Sequence, residues 1–124
     1  MGTFHHPMTV TNPESGMSLT VDALVDSGAT FSVLPTSQLE GLGVRPTRRI
    51  RAEVADGRVV EFPLGEASIN VLDRSGTSPC VFGPEDGPTL LGMVTLEGLL
   101  LGIDPVRQVL VPVDALLMPM RLSP

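Results

Sequence analysis

Between Ser18 and Val25 the apolar residues Leu19, Val21, Ala23 and Val25 alternate with Ser18, Thr20, Asp22 and Leu24, and the run ends directly on Asp26-Ser27-Gly28. A period of two marks a β-strand that is half or more buried. A strand cut off by an acid, a small hydroxyl residue and a glycine must turn sharply, which places the Asp26 carboxylate at a bend where backbone amides point at it. The rest of the chain is punctuated in the same way. Its 13 glycines and 12 prolines among 124 residues are about one position in five, against about one in eight on average, which disfavours long helices and favours turns. The predicted fold class is all-β, and 124 residues make a single domain.

Residues 1–17 are mixed in character, with only Met8 to Thr11 extended, and are expected to form an N-terminal arm or an edge strand. Residues 18–118 are the domain proper, and 119–124 a C-terminal tail. After the Asp26 turn, Phe31, Val33 and Leu34 resume an extended run up to Pro35. Thr36 to Glu40 predicts one short helical turn ending at Gly41, and Met93 to Leu99 a second short helix. Asp56-Gly57 predicts a two-residue hairpin turn inside a hairpin from about Ile50 to Phe62. Such a turn puts Ile50, Ala52, Val54, Val59 and Glu61 on one face and Arg51, Glu53, Ala55, Arg58, Val60 and Phe62 on the other. Two mixed faces cover a core poorly, so the hairpin is expected to project as a flap. Ala67 to Val71, Pro79 to Phe82 and Val109 to Val111 supply further strands.

With 42% apolar and 18% charged residues, the chain can bury a core and lacks the signature of disorder. Eight basic residues, all arginine, against 14 acidic ones leave a net charge of −6, which argues against duplex nucleic acid as a partner. No tryptophan or tyrosine is present, so no stacking platform for single strands is expected. The single cysteine, Cys80, allows no intramolecular disulfide, fits a cytoplasmic location and reads as a small buried hydrophobe. No secretory segment is visible, and the longest apolar stretch, Leu90 to Ile103, is interrupted by Glu97 and too short to cross a membrane. His5 and His6 would point to opposite faces of a strand, and nothing else has metal-ligand spacing, so neither metal nor cofactor is expected. Arg45, Arg48, Arg49 and Arg51 read as a solvated edge.

Four stretches together carry more information than any one of them: Val25-Asp26-Ser27-Gly28-Ala29-Thr30, Ala55-Asp56-Gly57, Gly65 to Val71, and Leu90-Leu91-Gly92. In residue types, order and spacing the chain resembles the retroviral-type (retropepsin-like) aspartic proteases over about Leu19 to Val113, and is most similar to their bacterial and archaeal members. The resemblance implies a small closed β-barrel with a flap hairpin and one or two short helices. It implies Asp26 as the catalytic residue on the cleft floor, with Ser27, Gly28, Ala29 and Thr30 completing its turn. Ala55, Asp56 and Gly57 would form the flap tip, and Leu90, Leu91 and Gly92 the strand threaded beside the floor. Viral members carry an aspartate at the position of Thr30 and an arginine at that of Met93, so their ion pair has no counterpart here.

The same resemblance implies an endopeptidase acting on extended peptides. That chemistry needs two carboxylates sharing one proton and one water, and the chain has one Asp-Ser-Gly, so the second aspartate is expected from a symmetry mate in a homodimer. Val54, Val59 and Leu91 are expected wall positions. The alternative is a protease-like binding or assembly module without catalysis.

Overall fold

The computed structural model describes residues 3–123. Met1, Gly2 and Pro124, the ends of the expected arm and tail, lie outside the described residues. In chain order the elements are β1 (Phe4–Thr11), β2 (Ser18–Val25), β3 (Ser32–Pro35), α1 (Thr36–Gly41), β4 (Pro46–Glu53), β5 (Val59–Val71), β6 (Arg74–Gly83), β7 (Leu90–Leu91), α2 (Met93–Gly98), β8 (Leu101–Asp104) and β9 (Val109–Pro112). The main sheet runs β1-β2-β7-β3-β6-β5-β4, and β1 also pairs with β5. The sheet therefore closes on itself, and β4 hangs from β5 outside the ring. β8 and β9 form a separate two-stranded sheet whose Leu101 and Leu110 are buried in the common core.

Sequence and structure differ at the N-terminus. Phe4–Thr11 is one continuous strand, where the sequence marks only Met8 to Thr11 as extended. It pairs with β2 along its whole length and with β5 at Thr9, Val10 and Thr11, so it is the strand that closes the ring. Met8 and Val10 are completely buried against Ala23, Ile69 and their neighbours. Burial of two such side chains contributes about 1.5–3 kcal/mol each, enough to hold a segment whose own composition is indifferent to strand.

The hairpin register also differs, by one residue. Ile50 pairs with Phe62, Ala52 with Val60 and Glu53 with Val59, because the connection is a three-residue loop, Ala55-Asp56-Gly57. The Val54 N–H donates to the Arg58 carbonyl at 2.9 Å and the Gly57 N–H to the Val54 carbonyl at 2.9 Å, with Gly57 at φ +88°. A left-handed third residue is the geometry glycine supplies at least cost. A one-residue slip exchanges the faces of a strand. Ile50, Ala52, Val54, Val60 and Phe62 consequently share a half-buried apolar face, while Arg51, Glu53, Val59 and Glu61 are exposed on the other. The two mixed faces expected from a two-residue turn do not exist.

Both short helices stand close to where they were expected. β5 is longer than expected, one continuous strand that carries the hairpin at one end and turns into β6 through Leu72 and Asp73, at φ 53° and 61°. Cys80 is completely buried, and burial pushes its thiol up to about 12, so it behaves as a small apolar residue. Among the described residues no helix is long and apolar enough to cross a membrane.

Candidate active site

Strand β2 delivers Asp26 to its turn at the point where β7 is threaded between β2 and β3. Leu24 and Val25 pair in parallel with Leu90 and Leu91, and Val33 pairs antiparallel with Leu90. The Asp26 N–H donates to the Leu91 carbonyl at 3.3 Å, and the Asp26 carbonyl accepts the Ala29 N–H at 3.1 Å. The side chain turns back on the same loop, its Oδ1 accepting the Gly28 N–H at 2.8 Å. A Cβ at position 28 would lie 3.2 Å from that oxygen, so a glycine lets the amide reach it. The carboxylate is thus oriented by its own turn, half-buried and not swung out into solvent.

The turn is clamped from behind. The Met93 and Val94 N–H groups, at the start of α2, donate to the carbonyls of Ala29 and Thr30 at 2.9 Å each. Above the turn opens a cleft of about 960 Å³. Asp26 and Gly28 to Phe31 form its floor, the hairpin from Ile50 to Ala55 with Phe62 one wall, and Pro84, Pro88, Leu90 and Val81 the other side. Apart from Asp26 its ionisable lining groups are Arg51 and Glu53, and the remaining walls are mainly aliphatic or aromatic. Such a trough suits an extended chain with apolar side chains, and a carboxylate at its floor can accept or deliver a proton.

The model of a family described as aspartyl protease matches residues 9–104. The chain belongs to the aspartyl protease family. Among solved structures, the simian foamy virus (mac) protease matches at a TM-score of 0.53 and 22% identity, over 77% of this chain and 94% of that one. The EIAV protease, solved with an inhibitor, matches at 0.53 and 21%, over 79% and 88%. The retroviral protease-like domain of Ddi1 from Leishmania major matches at 0.53 and 18%, over 90% and 89%. At these identities the likeness is one of fold, and the fold is the retropepsin-like one. No curated protein sequence matches the chain significantly.

In this aspartyl protease family member, Asp26, Gly28, Ala29, Thr30, Ala55 and Leu90 meet at one cleft. Ser27 lies exposed between Asp26 and Gly28. Asp56 and Gly57 occupy the hairpin tip beyond the cleft lining, and Leu91 and Gly92 are buried behind the floor. Of the expected wall residues, Val54 lines the cleft, whereas Val59 points outward at 52% exposure and Leu91 is fully buried. Val59 fails for the same reason as the hairpin faces, the one-residue register. Phe62, Pro84 and Pro88 were not foreseen as lining residues. Nor were Ser32, Ser78 and Thr95, which are buried together behind the floor. They are scattered over 64 positions, and a lone serine or threonine carries no sequence signal of its own. Among the described residues no three His, Cys, Asp or Glu side chains gather as a metal site would require.

Proposed function

We propose that the chain is an aspartic endopeptidase that works as a homodimer, with one Asp26 from each subunit. The observation that carries this reading is the Asp26 carboxylate itself, anchored by the Gly28 N–H at 2.8 Å on the floor of a cleft with largely apolar walls. One such carboxylate per chain is half of the required pair. Two held about 3 Å apart across a two-fold axis share a single proton, because like charges so close cannot both ionise. The ionised member takes a proton from a water held between them, and the water oxygen attacks the scissile carbonyl. The protonated member donates to the carbonyl oxygen, giving a tetrahedral diol without a covalent intermediate. Proton return to the amide nitrogen then releases both products. The hairpin, whose Ile50, Ala52, Val54 and Phe62 line the cleft beside Arg51 and Glu53, covers the bound peptide and excludes water. Peptides with apolar residues on both sides of the cut bond are the expected substrates.

The deciding experiment is Asp26→Asn, assayed against a peptide library with fold and oligomeric state checked by circular dichroism and light scattering. Cleavage by the parent and none by the folded, dimeric variant is the expected result. A variant that cuts like the parent removes Asp26 from the reaction. A parent that is strictly monomeric and cuts nothing leaves the protease-like binding module in its place.

A further inference from the structure

We propose that Ser32, Thr95 and Ser78 are positioning residues for Asp26, linked into one directed hydrogen-bond chain that fixes the plane of the Leu91–Gly92 peptide. The inference rests on Asp26 being the reacting group. The three hydroxyls lie on β3, α2 and β6 and are almost wholly inaccessible, at 0%, 1% and 4% exposure. Ser32 Oγ and Thr95 Oγ1 are 2.6 Å apart, Thr95 Oγ1 and Ser78 Oγ 2.7 Å. The Gly92 N–H donates to Ser32 Oγ at 3.0 Å, and Ser78 Oγ donates to the Pro79 carbonyl at 3.2 Å.

A hydroxyl has one proton to give. Ser78 gives its own to Pro79, so it receives one from Thr95, and Thr95 in turn receives one from Ser32, which accepts from Gly92. Every hydroxyl then donates once and accepts once, in a single direction from the Gly92 amide to the Pro79 carbonyl. Chains of this kind polarise their members cooperatively, and in a dry interior an unpaired member is costly.

The Gly92 N–H and the Leu91 carbonyl belong to the same rigid peptide unit. That carbonyl accepts the Asp26 N–H at 3.3 Å, so one plane is tied at one end to the hydroxyl chain and at the other to the backbone of Asp26. Turning the plane swings the carbonyl off Asp26. It also disturbs the next two residues, whose amides hold Ala29 and Thr30. A carboxylate that must meet its symmetry mate within hydrogen-bond reach is sensitive to such a shift, since a displacement of about 1 Å in a reacting group is worth about 10²-fold in rate.

The test uses Thr95→Val, which keeps the shape and removes the hydroxyl, and Thr95→Ser, which keeps the hydroxyl. Expected for Thr95→Val are a kcat lower by about tenfold or more and a KM within about threefold of the parent, measured where the variant is folded and dimeric. Thr95→Ser is expected within about threefold of the parent in both. Amide hydrogen exchange supplies a readout independent of activity. The Asp26, Gly92, Met93 and Val94 amides should exchange faster in Thr95→Val, while those of β5 and β6 keep their parent rates. A parent-like kcat, or exchange that rises equally throughout, makes the chain merely structural and overturns the proposal. Should Thr95→Val not fold, Ser78→Ala removes the last link and is judged by the same two readouts. A parent that hydrolyses nothing defeats the protease reading, and the exchange pattern still decides whether the hydroxyls position the turn.

Discussion

A Cβ on Gly92 would stand 2.5 Å from the carbonyl oxygen of Phe31 and 2.8 Å from the Ser32 amide nitrogen. Both neighbours are backbone, and neither can rotate away. Gly92→Ala must therefore push the β7–α2 junction away from the entry to β3. We expect a loss of about 3 kcal/mol in urea unfolding and no measurable peptidase activity in whatever folds. An alanine variant with parent stability and turnover would contradict the close approach.

One carboxylate per chain makes subunit exchange informative. Parent protein mixed with an equal amount of Asp26→Asn and allowed to exchange should keep about a quarter of the activity of an all-parent sample at the same total protein, the fraction of dimers carrying two aspartates. A monomeric enzyme would keep about half. The two outcomes are separated by a titration of variant into parent at fixed total concentration.

The hairpin register assigns opposite consequences to neighbouring surfaces. Ala52→Asp places a charge on the apolar cleft wall and should raise KM by about tenfold or more for a peptide with apolar side chains. Val59→Thr, on the outer face at 52% exposure, should stay within about twofold. Equal effects at the two positions would contradict the placing of Ala52 at the cleft and Val59 outside it.

Ser37 gives the Glu85 carboxylate both its hydroxyl, at 2.5 Å, and its N–H, at 2.8 Å. The hydroxyl bond first and the backbone bond second hold the Glu85 pKa below the ordinary value of 4.5, against a small opposing effect of desolvation. A carboxyl whose pKa is lower folded than unfolded contributes stability in full above its unfolded value and loses it as pH falls through the folded one. The difference in urea midpoint between parent and Glu85→Gln should thus be flat from pH 7 to about 5 and shrink below about 4.5. A difference that grows on acidification would reverse the assigned sign.

Much of this site was legible because its chemistry is local. Asp26-Ser27-Gly28 follows a strand with a period of two, α1 runs from its N-cap Pro35 to Gly41, and α2 lies between Gly92 and Gly98. What escaped depends on partners distant in the chain. Met8 and Val10 are buried where β5 closes the ring against β1 at Thr9 to Thr11, and nothing between Phe4 and Thr11 announces that. Asp56-Gly57 marks the place of the hairpin turn, but its register depends on whether Ala55 belongs to the strand or to the loop, and that is decided by the left-handed Gly57. The hydroxyl chain joins residues up to 63 positions apart, with no spacing rule to reveal it. The sequence places a turn between Val71 and Pro79 but does not show that Leu72 and Asp73 alone make it, because leucine seldom occupies positive φ.

The continuity of β5 has a mechanical consequence. From Val59 to Pro63 the strand is held by β4 alone, whereas from Leu64 onward β6 grips it, and β1 adds a further hold at Ser68 to Asn70. The free arm and the fixed stem meet at Leu64 and Gly65, where a side chain on Gly65 would strike the Arg45 carbonyl at 2.7 Å. Directly across, β4 changes register between Pro46 and Arg48. Beyond that line the hairpin projects as a two-stranded arm, while the stem shares its hydrogen bonds with β6 and β1, which close the ring.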